Sequence, residues 1–158
     1  MPYIDIDLLK NNNDKFYDIN FGSDGDFIKT EGFNMALKIS LMCERRASES
    51  EVALPQFRRG WWGNEFLGFD NFEIGSKLWL LNQTRATQNT LNNSITYTQN
   101  SLQWLITDNY LSRVHVTANY EDNGLNINID LIRSNNLVES YGYSLWDNTL
   151  KEENGKRI

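Results

Sequence analysis

Three acidic residues that could act together lie in one segment rich in aromatic residues and glycines: Glu65, Asp70 and Glu73. Glycoside hydrolysis needs two carboxyl groups, one as proton donor and one as base or nucleophile. A glycosidase that uses Glu65 and Glu73 is therefore one interpretation. The other is that they are solvated charges on a loop, since a chain with 21 acidic residues contains such clusters often. We favour the second interpretation and expect no catalytic residue.

The sequence lacks the residues that metal-binding and nucleotide-binding sites need. The chain has one histidine, His115, and one cysteine, Cys43, whereas structural zinc sites use several such ligands at close spacing. Gly60 and Gly63 alone do not make a phosphate-binding loop, and residues 24–26 fall short of a calcium loop. We expect no cofactor and no metal, and the lone cysteine favours a reducing compartment.

Length and charge limit the class of protein. At 158 residues, with 40% hydrophobic and 13% aromatic residues, the chain is expected to form one folded domain. The net charge of −6 weighs against a nucleic-acid partner, because such proteins usually present a basic face. No window approaches the ~18 apolar residues of a membrane span, so no membrane partner is expected.

Residues 87–111 have the period of a helix. Apolar residues recur at spacings of three and four and share one face. That face holds Leu91, Ile95, Thr98, Leu102, Leu105 and Ile106, with Asn92, Gln99, Gln103 and Thr107 opposite. The pattern predicts a helix with a defined inner side.

The period then changes to the two-residue alternation of strands. The inward positions are Val114, Val116, Ala118 and Tyr120, then Leu125, Ile127, Ile129 and Leu131. Residues 122–124, Asp-Asn-Gly, predict the tight turn of a hairpin, and residues 137–146 predict a third strand. We expect a small antiparallel sheet over residues 113–146, followed by a tail over residues 147–158, of which residues 151–158 are charged and expected to fray.

The first half is predicted to contribute a second helix. Residues 31–46 are apolar on most sides, with Thr30 as N-cap and a narrow polar stripe of Asn34, Lys38 and Arg45, which is typical of a core helix. Residues 1–30 predict short strands, and residues 47–86 predict an aromatic-rich loop. The fold class is therefore α+β, with the sheet packed on two main helices.

Two groups of residues have the composition of contact surfaces. Tyr97, Trp104 and Leu111 recur every seven residues away from the main apolar face and need a second partner, either another layer of this domain or another chain. The adjacent tryptophans Trp61 and Trp62 follow Arg58 and Arg59, and these residue types dominate interface hot spots. Either tryptophan could instead be core.

Several motifs together resemble one known family, the Mu-like phage baseplate proteins. The resemblance covers residues 32 to 146 and rests on motifs that occur in the same order. They are Arg45-Arg46, Arg58-Arg59-Gly60-Trp61-Trp62-Gly63, Gly75-Ser76-Lys77-Leu78-Trp79-Leu80-Leu81, Leu102-Gln103-Trp104-Leu105-Ile106 and Arg113-Val114-His115-Val116.

The resemblance implies a small wedge protein of a contractile tail, of the kind called a sheath initiator. Six copies would surround the tail tube in the virion baseplate after assembly in the host cytoplasm. The implied partners are other wedge proteins and the tail sheath protein, and the tube or hub is a further candidate. Two alternatives stay open: a peptidoglycan-degrading tail enzyme, and an assembly adaptor absent from the mature particle.

The strand pattern supports a binding role without the resemblance. A hairpin with a third strand leaves an edge of unpaired backbone N–H and C=O groups, and such an edge is a template for strand addition. We therefore predict that residues 113–146 are an acceptor sheet. The predicted partner-binding residues are Arg58, Arg59, Trp61, Trp62, Tyr97, Trp104, Arg113, His115, Asn126, Asn128, Asp130, Tyr141 and Tyr143.

Overall fold

The computed structural model describes residues 4–10, 17–66, 73–121 and 124–153. The strands are β1 (Ile4–Ile6), β2 (Leu8–Lys10), β3 (Tyr17–Ile19), β4 (Lys29–Glu31), β5 (Arg113–Glu121), β6 (Gly124–Ile132), β7 (Val138–Ser144) and β8 (Thr149–Glu153). The α-helices are α1 (Asn34–Met42) and α2 (Gln88–Thr107). The α+β class predicted from the sequence is confirmed.

The main sheet has the antiparallel order β5-β6-β7-β8. Its alternation places one set of side chains inward, as the sequence predicts, because residues two apart on a strand share a face. The buried set includes Val116, Leu125, Ile127, Ile129 and Leu131. The predicted turn over residues 122–124 falls mostly outside the described residues, since only Gly124, paired with Glu121, is described.

Helix α2 covers the inner side of β5. The Thr87 side chain caps it by accepting a hydrogen bond from the Thr90 backbone N–H at 3.2 Å. Leu102 and Leu105 are fully buried, and Asn92, Gln99, Gln103 and Thr107 are exposed. The predicted outer side of this helix is confirmed, and of the predicted inner side Thr98, Leu102 and Leu105 are buried, whereas Leu91, Ile95 and Ile106 are half-buried. The helix ends at Thr107, and Leu111 joins the core beyond it.

Helix α1 is shorter than residues 31–46 and begins later. Its N-cap position is Phe33, so the prediction that Thr30 caps it is wrong. Gly32, with φ of 87°, turns the chain just before the helix. Beyond Cys43 the backbone is extended, because Glu44 forms a parallel bridge with Ser76. The basic pair at residues 45 and 46 therefore lies outside the helix.

The predicted tail is also wrong in part, since its residues 149–153 form β8. This strand pairs with β7 in the register Tyr143 to Leu150 and buries Leu150 against the core. The turn before it contains Asn148 in the left-handed region, with φ of 50°. The described part of residues 47–86 contains three 3-10 helices, Pro55–Phe57, Trp62–Phe66 and Leu78–Leu81.

The short N-terminal strands pair as β1 with β4 and β2 with β3. Lys38 of α1 attaches them to the body, although the sequence places this residue on a polar stripe. Its ammonium group donates to the Leu8 carbonyl at 2.8 Å and lies 3.8 Å from the Asp7 carboxylate. Lys38 is buried as a result.

Candidate functional site

The outer edge of β5 is the feature best suited to bind another chain. In an antiparallel sheet, alternate residues direct both backbone groups to one neighbour. The Leu145 N–H donates to the Leu125 carbonyl, which shows that Leu125 directs its backbone groups to the β7 side of β6. The other odd-numbered residues of β6 therefore also bond to β7, and its even-numbered residues bond to β5. The β6 register then leaves four β5 residues with N–H and C=O groups directed away from the sheet: Val114, Val116, Ala118 and Tyr120.

Nothing in the described ranges pairs with those backbone groups. Outside its ladder with β6, β5 takes part in no backbone hydrogen bond to the rest of the described chain. Helix α2 covers its inner face and leaves the in-plane edge uncapped by a strand. At nine residues, β5 is long for an edge strand, it contains neither proline nor lysine, and its charged residues Arg113 and Glu121 stand only at its two ends.

The opposite edge, β8, is guarded. It is five residues long and carries Lys151 and Glu153, and charged side chains discourage pairing with another strand. The hydroxyl of Tyr17 accepts from the Leu150 N–H at 3.4 Å and donates to the Asn148 carbonyl at 3.0 Å. One border of the predicted acceptor sheet is thus occupied by the chain itself, and no described residue pairs with the other.

The outer face of the sheet is polar. Arg113, His115 and Thr117 of β5 are exposed there, beside Asn128 of β6. Asn126 and Asp130 are half-buried on the same face, and Asp130 accepts a hydrogen bond from the Ser140 hydroxyl at 2.6 Å. A polar outer face keeps the sheet compatible with water before a partner binds.

The structure argues against the prediction that Tyr141 and Tyr143 contact a partner, because their side chains point into the core and are 1% and 3% exposed. The Tyr141 hydroxyl donates to the Glu139 carboxylate, and that of Tyr143 donates to the Asn148 side chain at 2.8 Å. Burial raises the pKa of the Tyr143 phenol well above its ordinary value. Neither ring offers a surface to a partner.

The second apolar patch on α2 meets another layer of the same chain. The Trp104 indole N–H donates to the Ser40 hydroxyl at 3.1 Å, and the Tyr97 hydroxyl lies 3.5 Å from a Glu51 carboxylate oxygen. Leu111 is buried. Of the two alternatives for this patch, the structure shows packing within the domain, with Tyr97 and Trp104 half-exposed.

The two arginines before the tryptophans bind their own chain. Arg58 donates to the carbonyls of Val52 and Ala53 at 2.8 and 3.0 Å. Arg59 forms an ion pair with Glu44 at 2.7 Å, and its guanidinium lies 4.9 Å from the centre of the Trp79 ring. The arginines thus fix the loop, although the Arg59 side chain is still half-exposed.

Trp61 and Trp62 differ, as expected for adjacent residues. Trp61 is half-buried and its backbone N–H donates to the Glu44 carbonyl, whereas Trp62 is 72% exposed. The Trp62 ring lies 5.9 Å from that of Phe66, which is also exposed. Trp62 remains a candidate for contact, and Trp61 supports the loop.

Of the described carboxylates considered for glycoside hydrolysis, Glu73 is the one that lines a groove. Glu73 lines a groove of about 950 Å³ with Arg45, Glu51 and Lys77, and Glu65 is not among the described residues that line it. The side chain of Glu73 is half-exposed and 3.8 Å from Arg45. Asp70 lies outside the described residues.

Glu51, another carboxylate in that groove, has a pKa well below its ordinary value. Partial burial raises its pKa, but hydrogen bonds from Lys77 and from the Ser48 backbone and hydroxyl outweigh this effect and lower the pKa to about 2. Its oxygen lies 2.7 Å from the Lys77 ammonium and 2.8 Å from the Ser48 N–H. Glu51 is therefore a fixed anion and not a proton donor at neutral pH.

The described ranges contain neither a metal-binding cluster nor a membrane-spanning helix. No group of three or more His, Cys, Asp or Glu side chains is placed there to hold a metal ion. None of the described helices has the length and apolarity required to cross a membrane.

Comparison with known proteins gives a family. The family described as Phage protein GP46 matches residues 33–138, which is most of the helix and sheet assembly. The chain belongs to this family. The match begins where the N-terminal strands end and stops at the start of β7. The Mu-like baseplate family that the motifs indicate is thereby confirmed.

Two curated relatives agree. Baseplate protein gp46 of Escherichia phage Mu is 36% identical over 96 residues, which are 59% of this chain and 63% of that protein. Mu-like prophage FluMu protein gp46 of Haemophilus influenzae is 38% identical over 60 residues, which are 38% of this chain and 43% of that protein. The matches therefore span less than two thirds of either relative.

Two features of the site escaped sequence reasoning. The protection of the β8 edge by Tyr17 depends on contacts between residues far apart in the chain, which no local sequence pattern predicts. The strand β8 itself had a signal, since the Asp147-Asn148 pair is a typical turn before a new strand.

Proposed function

We propose that this chain is a structural component of a contractile-tail baseplate that joins the inner wedge and nucleates assembly of the tail sheath. It does so by accepting a strand along the free edge of β5. Its partners are other wedge proteins and the sheath protein, with the tube or hub as a further neighbour and six copies in each baseplate. Membership of the GP46 family and the name of the phage Mu relative support the baseplate assignment.

The observation that carries the strand-addition step is the contrast between the two sheet edges. The backbone groups of Val114, Val116, Ala118 and Tyr120 point away from β6, whereas β8 is short, charged and contacted by Tyr17. A strand added at β5 would satisfy those backbone groups and extend the sheet to five strands.

The chemistry of the added strand follows from the two faces of β5. Side chains on the inner face would lie beside Val114 and Val116 and near α2, so they should be apolar. Those on the outer face would lie beside Arg113, His115 and Thr117, so they should be polar. We expect a partner segment that alternates between the two kinds.

Replacing Val114 with proline tests the edge directly. The Val114 N–H points away from β6, so Val114→Pro keeps the ladder and removes a donor from the edge. We expect the variant to fold, judged by circular dichroism and thermal unfolding, and to yield tails without sheath in a complementation assay. Normal sheathing by this variant would contradict the proposal.

Two matched proline variants serve as controls. His115→Pro removes an N–H that belongs to the β5–β6 ladder, so it should lower the thermal unfolding temperature sharply. Glu152→Pro removes an outward N–H from the guarded edge, so sheathing should stay normal. Mass spectrometry of purified tails establishes first that the chain belongs to the particle, since an assembly adaptor would be absent.

A further inference from the structure

The N-terminal strands carry a second surface, separate from β5. Tyr17, Ile19 and Phe21 alternate with Asp18 and Asn20, so these three side chains share a face. Phe27 is paired with Phe21 across an antiparallel bridge, and their ring centres are 5.2 Å apart. We name Ile19, Phe21 and Phe27 the apolar row.

The apolar row continues a contact made within the chain. Tyr17 precedes the row on the same face and packs against Lys38, whose ammonium lies 5.1 Å from the centre of the Tyr17 ring. The Tyr17 hydroxyl donates to the Asn148 carbonyl. From there the row runs into solvent, with Ile19, Phe21 and Phe27 exposed by 41%, 56% and 43%. The row is thus held to the body at one end and uncovered at the other.

An exposed aromatic pair next to a two-stranded sheet is an unfavourable arrangement in water. Each Å² of apolar surface that is removed from water contributes ~25 cal/mol, and isolated two-stranded sheets have little stability of their own. Contiguous exposed apolar surface of this kind usually marks a binding site. A partner that covers Phe21 and Phe27 would stabilise the strands that present them.

The charges around the row decide which partner fits. Asp24 and Asp26, in the turn between Phe21 and Phe27, are exposed, and Lys29 is the single cationic residue in residues 17–29. This acidic rim repels the anionic head groups of a membrane surface and an identical rim on a second copy. It attracts lysine and arginine.

We propose that the apolar row is a docking surface for a second baseplate protein, which inserts an apolar segment flanked by lysine or arginine. This inference rests on the proposed function only in placing the chain in the baseplate, and it does not depend on strand addition at β5. It gives the N-terminal strands, which lie outside the matched family region, a contact of their own.

Site-specific photocrosslinking in assembled tails tests the docking surface. Benzoylphenylalanine replaces Phe21 in one preparation and Thr117, on the outer face of β5, in another. We expect the Phe21 probe to crosslink to a different protein from the Thr117 probe, at an apolar segment with adjacent basic residues. A Phe21 probe that crosslinks only to a second copy, or not at all while Thr117 crosslinks, overturns the inference and leaves the proposed function intact. If neither probe crosslinks to another protein, both the docking surface and the proposed function are overturned.

Matched serine variants separate docking from folding. Leu9 is opposite Asp18 in the β2–β3 register, so it lies on the other face of this hairpin, and it is 58% exposed. We expect Phe21→Ser to reduce incorporation into tails at least about tenfold, and Leu9→Ser to leave it unchanged. Reversing the rim with Asp24→Lys and Asp26→Lys should also reduce incorporation. Equal losses from Phe21→Ser and Leu9→Ser would overturn the docking surface.

Discussion

At the scale of residues, charged side chains in the first half of the chain mostly serve its own structure. Arg58 and Arg59 fix the loop that carries the tryptophans, and Lys38 holds the N-terminal strands. Glu51 joins the segment at Ser48 to Lys77. Residue type alone indicated an interface at the two arginines, because a cation that caps carbonyls and one that meets a partner have the same sequence signature.

Glu51 gives a pH-dependent prediction. Its pKa in the folded chain, about 2, is below its ordinary value of 4.5, so its ionised form stabilises the fold above pH 4.5 and this contribution is lost as the pH falls toward 2. Denaturant unfolding should show Glu51→Gln less stable than the wild type at pH 7, with the difference shrinking below pH 4.5.

Glu49→Gln is the control for this measurement. The Glu49 side chain is 86% exposed and lies 3.8 Å from Arg58, so we expect little effect at any pH. A stability difference between wild type and Glu51→Gln that stays constant from pH 7 to pH 2 would show that the Glu51 contacts do not act through charge.

At the scale of elements, the sequence predicted best where one period continues over many residues. The faces of α2 and the alternation of β5 and β6 follow from spacing alone, because each has a single buried side. Prediction from the sequence failed where tertiary contacts override the local preference for helix or loop. Helix α1 stops early because residues 43–45 bond to residue 76, and β8 forms from a charged segment because β7 offers it a partner edge.

The strand β8 gives a stability prediction. Leu150 is its buried side chain, paired with Tyr143. Leu150→Ala should lower the free energy of unfolding by about 2 kcal/mol, the lower end of the range for buried leucines, because the strand lies at the border of the core. Denaturant unfolding of the purified chain measures this. A change indistinguishable from zero would mean that β8 is not docked in solution.

At the scale of the whole molecule, the chain combines a folded body with two surfaces that its own described residues leave uncovered. The body consists of α1, α2 and the main sheet, and corresponds to most of the GP46 match. The free β5 edge offers backbone hydrogen bonds, and the apolar row offers aromatic surface with an acidic rim. The sequence indicated an acceptor edge, but which edge is free depends on β8 and Tyr17, and so required the structure.

The most direct test is a cryo-electron microscopy map of the lower end of assembled tails. The account predicts that this chain lies between the inner wedge and the lowest sheath ring, with a strand from another protein hydrogen-bonded to β5 at Val114, Val116, Ala118 and Tyr120. A map in which this chain is present and the β5 edge faces solvent, or in which the foreign strand adds to β8, would contradict it.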